Sequence, residues 1–212
     1  MSEQKNQART PTQQRGIETK KKIIEAAEAL FAEKGYHKTN AMEIAARAGV
    51  ATGSFYGYFN NKKEVLIEMI RTFYAAATEK VTNSYHVQER DNVTDNYREG
   101  KELVRHMITA LYEAHTINPS LHREFIAMVM LDREIEAISR EEDQKVIAAM
   151  TSVFNAYKEH IRVADTEAAA ILLHRVSEEM IHHIRIMGTD IDGSRLLKEL
   201  EDMVSRYILV EG

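Results

Sequence analysis

Residues 39–63 read TNAMEIAARAGVATGSFYGYFNNKK, and this stretch decides the fold. Asn40 followed three residues later by Glu43 has the form of a capping box, which opens a short helix. Ile44 and Ala45 turn inward from that helix, and Gly49 stops it. A second short helix over 51–57 then packs through Val50, Phe55 and Phe59, leaving Thr52, Ser54, Tyr56 and Tyr58 on its outward face. Two short helices across a glycine turn form a helix-turn-helix, the geometry that lays one helix in a DNA major groove. The outward hydroxyls suit phosphate oxygens and base edges, and Gly53 lets the backbone come close.

Working outward, a first helix is predicted over 19–34, with Ile23, Ala27, Leu30 and Phe31 on one stripe and Gly35 as a left-handed cap. Residues 1–17 are polar, carry Lys5, Arg9 and Arg15, and are expected to be a disordered basic tail. A fourth helix opens near Asn61 and Lys62 and continues towards Ser84. After a polar connection over 86–96, helices are expected over 97–117, 119–131, 133–160, 166–187 and 192–209. There are two prolines and nine glycines in 212 residues, and the segments between the breaks are filled with strong helix formers. The expectation is an all-α chain of about nine helices, divided into a three-helix head at 18–63 and a larger helical bundle at 64–212.

Composition narrows the function classes. The chain has no Cys, which excludes disulfides and thiolate chemistry and fits a reducing compartment, so a cytoplasmic protein is expected. No leader-like or membrane-spanning apolar run is evident. The net charge is -5, yet residues 1–63 hold eleven Lys and Arg against six Glu, a balance of +5. A basic front on an acidic body suits a head that meets phosphate. The sequence contains no nucleophile elbow, phosphate loop or HExxH motif, so an enzyme is not expected, and neither a cofactor nor a metal is called for. A helical protein-binding adaptor is the competing class, and it would leave the basic, hydroxyl-bearing head without a purpose.

Residues 19–63 resemble the DNA-binding domain of the tetracycline-repressor (TetR) family. IIEAAEALFAEKGYHKT (23–39) resembles the family's first helix and its link, EIAARAGVATGSFYGYF (43–59) its helix-turn-helix, and NKKEVL (61–66) the start of its fourth helix. The resemblance implies that Thr52, Gly53, Ser54 and Tyr56 approach bases and phosphates, and that Tyr58 and Lys62 clamp the DNA backbone. The resemblance also implies a second contact zone at Asn40, Ala41 and Met42. Many relatives carry Lys at the place of Thr52 and a bulky residue at the place of Gly57, so their base preference does not transfer. The resemblance further implies a repressor that is released from a palindromic operator by a small-molecule effector. It also implies a homodimer formed through helices 166–187 and 192–209.

An effector cavity is expected among helices four to eight, where Phe73, Met107, Leu111, Phe125, Met128, Phe154, Tyr157 and His174 fall on inward stripes. His174, Glu178 and His182 recur at steps of four, which raises a metal-responsive regulator of the same fold as an alternative. Residues eight apart lie ~12 Å apart along a helix, however, too far for all three to share one ion.

Overall fold

The computed structural model describes residues 10–86, 96–115 and 118–210. Nine α-helices occur among the described residues: α1 (Thr10–Lys34), α2 (Ala41–Arg47), α3 (Thr52–Tyr56), α4 (Lys62–His86), α5 (Asn96–Ala114), α6 (Pro119–Leu131), α7 (Arg133–Ala156), α8 (Thr166–His182) and α9 (Gly193–Ile208). The all-helical class is as the sequence implies. No helix of the described residues is long and apolar enough to cross a membrane.

Three details depart from the sequence reading. First, α1 begins at Thr10 rather than at 19, so residues 10–17 are helical and not a disordered tail; Lys5 and Arg9 lie outside the described residues. Pro11 falls in the first turn, where its missing N–H breaks no hydrogen bond. Second, α7 stops at Ala156, and a 3-10 turn at Lys158–His160 leads to an isolated antiparallel bridge between Ile161 and Leu209. Third, α8 runs into a π-helical turn at His183–Met187, closed by Gly188 at φ 89°. Asp132, Asp165 and Asp192 cap α7, α8 and α9 with their carboxylates, each accepting a backbone N–H of the first turn.

The chain divides into two compact units. The first contains residues 1–70 together with 120–128, and the second contains 71–119 and 129–212. The division thus falls inside α4 rather than at 63, and most of α6 groups with the head. In the first unit Ile23, Ala27 and Phe31 of α1, Ile44 and Ala45 of α2, Phe55 of α3 and Val65 and Leu66 of α4 are all fully buried. Burying each of the larger side chains among them, Ile, Phe, Val or Leu, stabilises by about 1.5–3 kcal/mol. Glu124 of α6 accepts the backbone N–H of Tyr36 at 2.7 Å, which ties α6 to the α1–α2 turn. In the second unit α4, α5, α7, α8 and α9 share one core that includes Val104, Ile108, Val146, Phe154, Leu173 and Val204.

Gly49 stands at φ 67° in the turn before α3, with nothing within 4 Å of where a Cβ would be. A substitution there is penalised by backbone conformation alone. Gly49→Val is expected to lower stability by about 1–2 kcal/mol, and Gly49→Asn by less, in thermal or urea unfolding. A cost for Asn equal to that for Val would contradict this account.

His115 in the second unit is 2% exposed, and its Nδ1 meets the Leu111 carbonyl at 2.8 Å. Burial drives its pKa down to about 4, the charges of His182, His174 and Arg185 add to that, and only the Leu111 hydrogen bond opposes it. The unfolded chain therefore binds a proton at a higher pH than the folded one does. Stability is expected to fall as pH drops from about 6.5 to about 4, with this group contributing up to ~1.4 kcal/mol per pH unit. Denaturant titrations across that window check the effect, and His115→Gln is expected to reduce the slope.

Candidate nucleic-acid interface and ligand cavity

The head presents its polar residues from α2 and α3. Thr52, Gly53, Ser54, Tyr56 and Tyr58 are all exposed, with Tyr56 at 54% and Tyr58 at 38%. What orients them lies beneath: Phe55 is fully buried, its ring lies 6.0 Å from that of Phe59, and Tyr56 stands edge-on to it at 5.4 Å. α3 has only five residues, so its direction depends on that buried ring rather than on its own hydrogen bonds. Gly16 of α1 passes beside Tyr58, where an added Cβ would stand 3.6 Å from the hydroxyl.

Asn40 and Glu43 complete the expected capping box: the Asn40 side chain accepts the Glu43 N–H and the Glu43 carboxylate accepts the Asn40 N–H, each at 3.0 Å. The carboxamide oxygen of Asn40 is thereby committed to the helix end. Met42, two residues on, is 63% exposed, and Ala41 is half-buried. Glu43 also meets Lys34 at 2.6 Å, and Arg47 meets Glu33 at 2.6 Å, so two ion pairs join α1 to α2.

Lys62 is placed differently from the phosphate clamp that the resemblance implies. Its Nζ donates to the carbonyls of Tyr36 and Thr39, both at 2.7 Å, and of His37 at 3.3 Å, and it lies 4.3 Å from the centre of the Tyr36 ring. Desolvation lowers its pKa. This ammonium fastens the start of α4 to the α1–α2 turn, a role that spacing along the chain gives no means of seeing.

The second unit encloses two adjoining cavities, of about 70 and 40 Å³, which share Val104, Met107, Phe154 and Ile208 in their walls. Met107 and Phe154 line both, Tyr157 lines the first, and Leu111 and His174 line the second. The other three residues expected there lie elsewhere. Phe73 packs edge-on against His115 at 5.2 Å, and Phe125 and Met128 belong to the part of α6 that groups with the head. Ser177, Val146 and Met150 also line the second cavity and were missed by the sequence reading. Ser177 lies three residues after His174, on the same helical face, which is the signal that would have found it.

His174 is 1% exposed and sits in a buried charged cluster. Its Nε2 lies 2.7 Å from Asp143 Oδ1 and 3.6 Å from Glu178 Oε2, and the Arg175 guanidinium contacts both carboxylates. Burial pushes Asp143 up, but the His174 hydrogen bond and the charges of His174 and Arg175 outweigh it and hold the carboxyl below its usual range. Burial pushes Glu178 up. The donor atoms of Asp143, His174 and Glu178 all lie within 4.8 Å of one another, a spacing that fits a divalent ion, but the guanidinium already supplies the positive charge. Asp143 of α7, not His182, completes the trio; His182 instead faces His115, ring to ring, at 5.1 Å.

Residues 23–69 match the family described as bacterial regulatory proteins, tetR family, and residues 101–208 match the tetracyclin repressor-like C-terminal domain. The uncharacterized HTH-type transcriptional regulator YuxN of Bacillus subtilis is 27% identical over 198 residues, 88% of this chain. The chain covers 63% of the length of YuxN. A Mesorhizobium loti protein named as a TetR-family transcriptional regulator superposes with a TM-score of 0.73 at 20% identity, over 92% of this chain and 99% of that one. The SmeT–triclosan complex, SmeT being a Stenotrophomonas maltophilia repressor, gives a TM-score of 0.69 at 21% identity over 92% and 93%. Matches to both domain descriptions together span most of the sequence, and the chain belongs to the TetR family of bacterial transcriptional regulators.

Proposed function

We propose that the protein is a homodimeric repressor that binds a near-palindromic operator through α3 and the start of α2 and leaves it when a small molecule occupies the cavity of the second unit. The observation that carries this reading is the exposed face Thr52, Gly53, Ser54, Tyr56, Tyr58, seated on a fully buried Phe55. Hydroxyls on that face reach phosphates and base edges, and Met42 offers apolar contact to a thymine methyl. Asn40 and Lys62 act as positioning residues: one fixes the end of α2, the other the α1–α2 turn against α4.

Family membership and SmeT, which has a complex with triclosan, support an effector-linked reading of the cavity. Only an effector that binds one conformation better than the other can shift operator occupancy. Dimerisation is supported by the apolar surface of α8 and α9, where Leu172, Met203 and Tyr207 are 49%, 47% and 40% exposed. A monomer would leave these side chains in water. Two copies related by a two-fold axis then meet half-sites ~34 Å apart, one turn of DNA. The protein-only adaptor has no observation of its own in its favour.

Titration with fragments of the DNA flanking the gene, at low and moderate salt, tests the reading. Saturable, sequence-selective retention of an inverted repeat is expected, and its absence at every salt concentration would overturn the proposal. Tyr56→Phe is expected to weaken operator binding by about tenfold or less without changing the melting temperature, as fits the loss of one hydrogen bond. Lys62→Met is expected to lower the stability of the head by about 2 kcal/mol, because three carbonyls lose a charged donor. Leu172→Glu with Met203→Glu is expected to shift the protein from dimer to monomer in light scattering and to abolish operator retention.

A further inference from the structure

The smaller cavity has a chemical signature that narrows its occupant. Its walls are apolar except on one side, where α8 places His174 and Ser177 one turn apart, 1% and 6% exposed. The Nε2 of His174 lies 2.7 Å from Asp143 Oδ1, whose carboxyl is held below its usual range and so accepts as the ionised group, and Nε2 therefore carries a hydrogen. The opposite ring nitrogen, Nδ1, is buried and has no hydrogen-bond partner among the described residues. A buried polar nitrogen left alone is unfavourable, and in a ring whose other nitrogen is anchored to Asp143 it cannot rotate away to find one.

We infer that the cavity takes a largely apolar molecule bearing one hydroxyl group, an alcohol or a phenol, whose oxygen meets His174 Nδ1 with Ser177 beside it. This inference rests on the reading of the cavity as the effector site and names the class of effector. The choice of head group follows from proton bookkeeping. With the ring neutral, Nδ1 accepts and a hydroxyl donates to it; with the ring protonated, Nδ1 donates and the same hydroxyl accepts. A carboxylate satisfies only the second state and an ammonium only the first. Each would also bring a net charge into a space walled by Val104, Leu111, Met150 and Phe154, where charge is poorly solvated. The apolar body has room to extend past Met107 and Phe154 into the adjoining cavity, because those two side chains line both. The flexible Met107 side chain there reshapes readily around a chain or ring.

The test uses the full-length protein without DNA and three probes with one alkyl chain: 1-octanol, octanoate and octylammonium. Calorimetry is expected to show 1-octanol binding at least tenfold more tightly than either charged probe. In protein labelled with nitrogen-15 at histidine, 1-octanol is expected to move the His174 Nδ1 resonance and leave those of exposed histidines in place. Ser177→Ala is expected to weaken 1-octanol binding several-fold, and His174→Phe at least tenfold. Should His174→Phe fail to fold, the wild-type resonance still decides. Equal binding of the three probes, no binding of 1-octanol, or binding that leaves Nδ1 unmoved would overturn the inference. A separate operator titration keeps the two readings apart. If 1-octanol binds at His174 but leaves operator affinity unchanged, effector-driven release fails and the head-group assignment stands.

Discussion

The geometry of the head depends on one buried-edge ammonium. Lys62 Nζ sits where three backbone carbonyls of the α1–α2 turn converge, and it is a charged donor to all three. The contact joins positions 23 to 26 residues apart in the sequence, so it fixes α4 against the turn that precedes α2. α2 then inherits its direction from the Asn40–Glu43 box and from ion pairs to α1, and α3 inherits its own from Gly49 and Phe55. A five-residue helix has almost no intrinsic stability, and α3 is held in place by the burial of Phe55 beneath it.

Local signals in the sequence were dependable where the physics is local. The Asn40–Glu43 spacing, the left-handed glycines at 35 and 49, and the inward Ile44, Ala45 and Phe55 all behave as their chemistry dictates. So does the outward placement of Thr52, Ser54, Tyr56 and Tyr58. What the sequence hides is pairing at long range. Lys62 looks like any basic residue near a DNA-binding helix until its carbonyl partners are seen. Asp143 joins His174 across 31 positions, and periodicity within α8 had pointed to His182 instead. The cavity shows the same limit: Met107, Leu111, Phe154, Tyr157 and His174 share apolar stripes with Phe73, Phe125 and Met128, and nothing in spacing separates wall from core.

The second unit solves a different problem from the first. Its charged cluster of Asp143, His174, Arg175 and Glu178 spans α7 and α8, with the guanidinium more than half exposed and the imidazole almost wholly buried. Such an arrangement costs desolvation and gives orientation in return, because each member limits how the others can turn. One ring nitrogen is held by acids while the other is buried without a hydrogen-bond partner among the described residues.

The assignment of residues 120–128 to the head has a consequence for anyone exchanging heads between regulators of this fold. The head is discontinuous: Leu121 and Phe125 are buried, and Glu124 caps the Tyr36 amide, yet all three are encoded fifty or more residues beyond the helix-turn-helix. A chimera cut at the obvious seam near residue 63 or 70 would borrow a foreign α6 and lose that carboxylate. Recombination that preserves this architecture has to transfer two separate segments together, which ties the evolution of the helix-turn-helix to a helix in the middle of the gene.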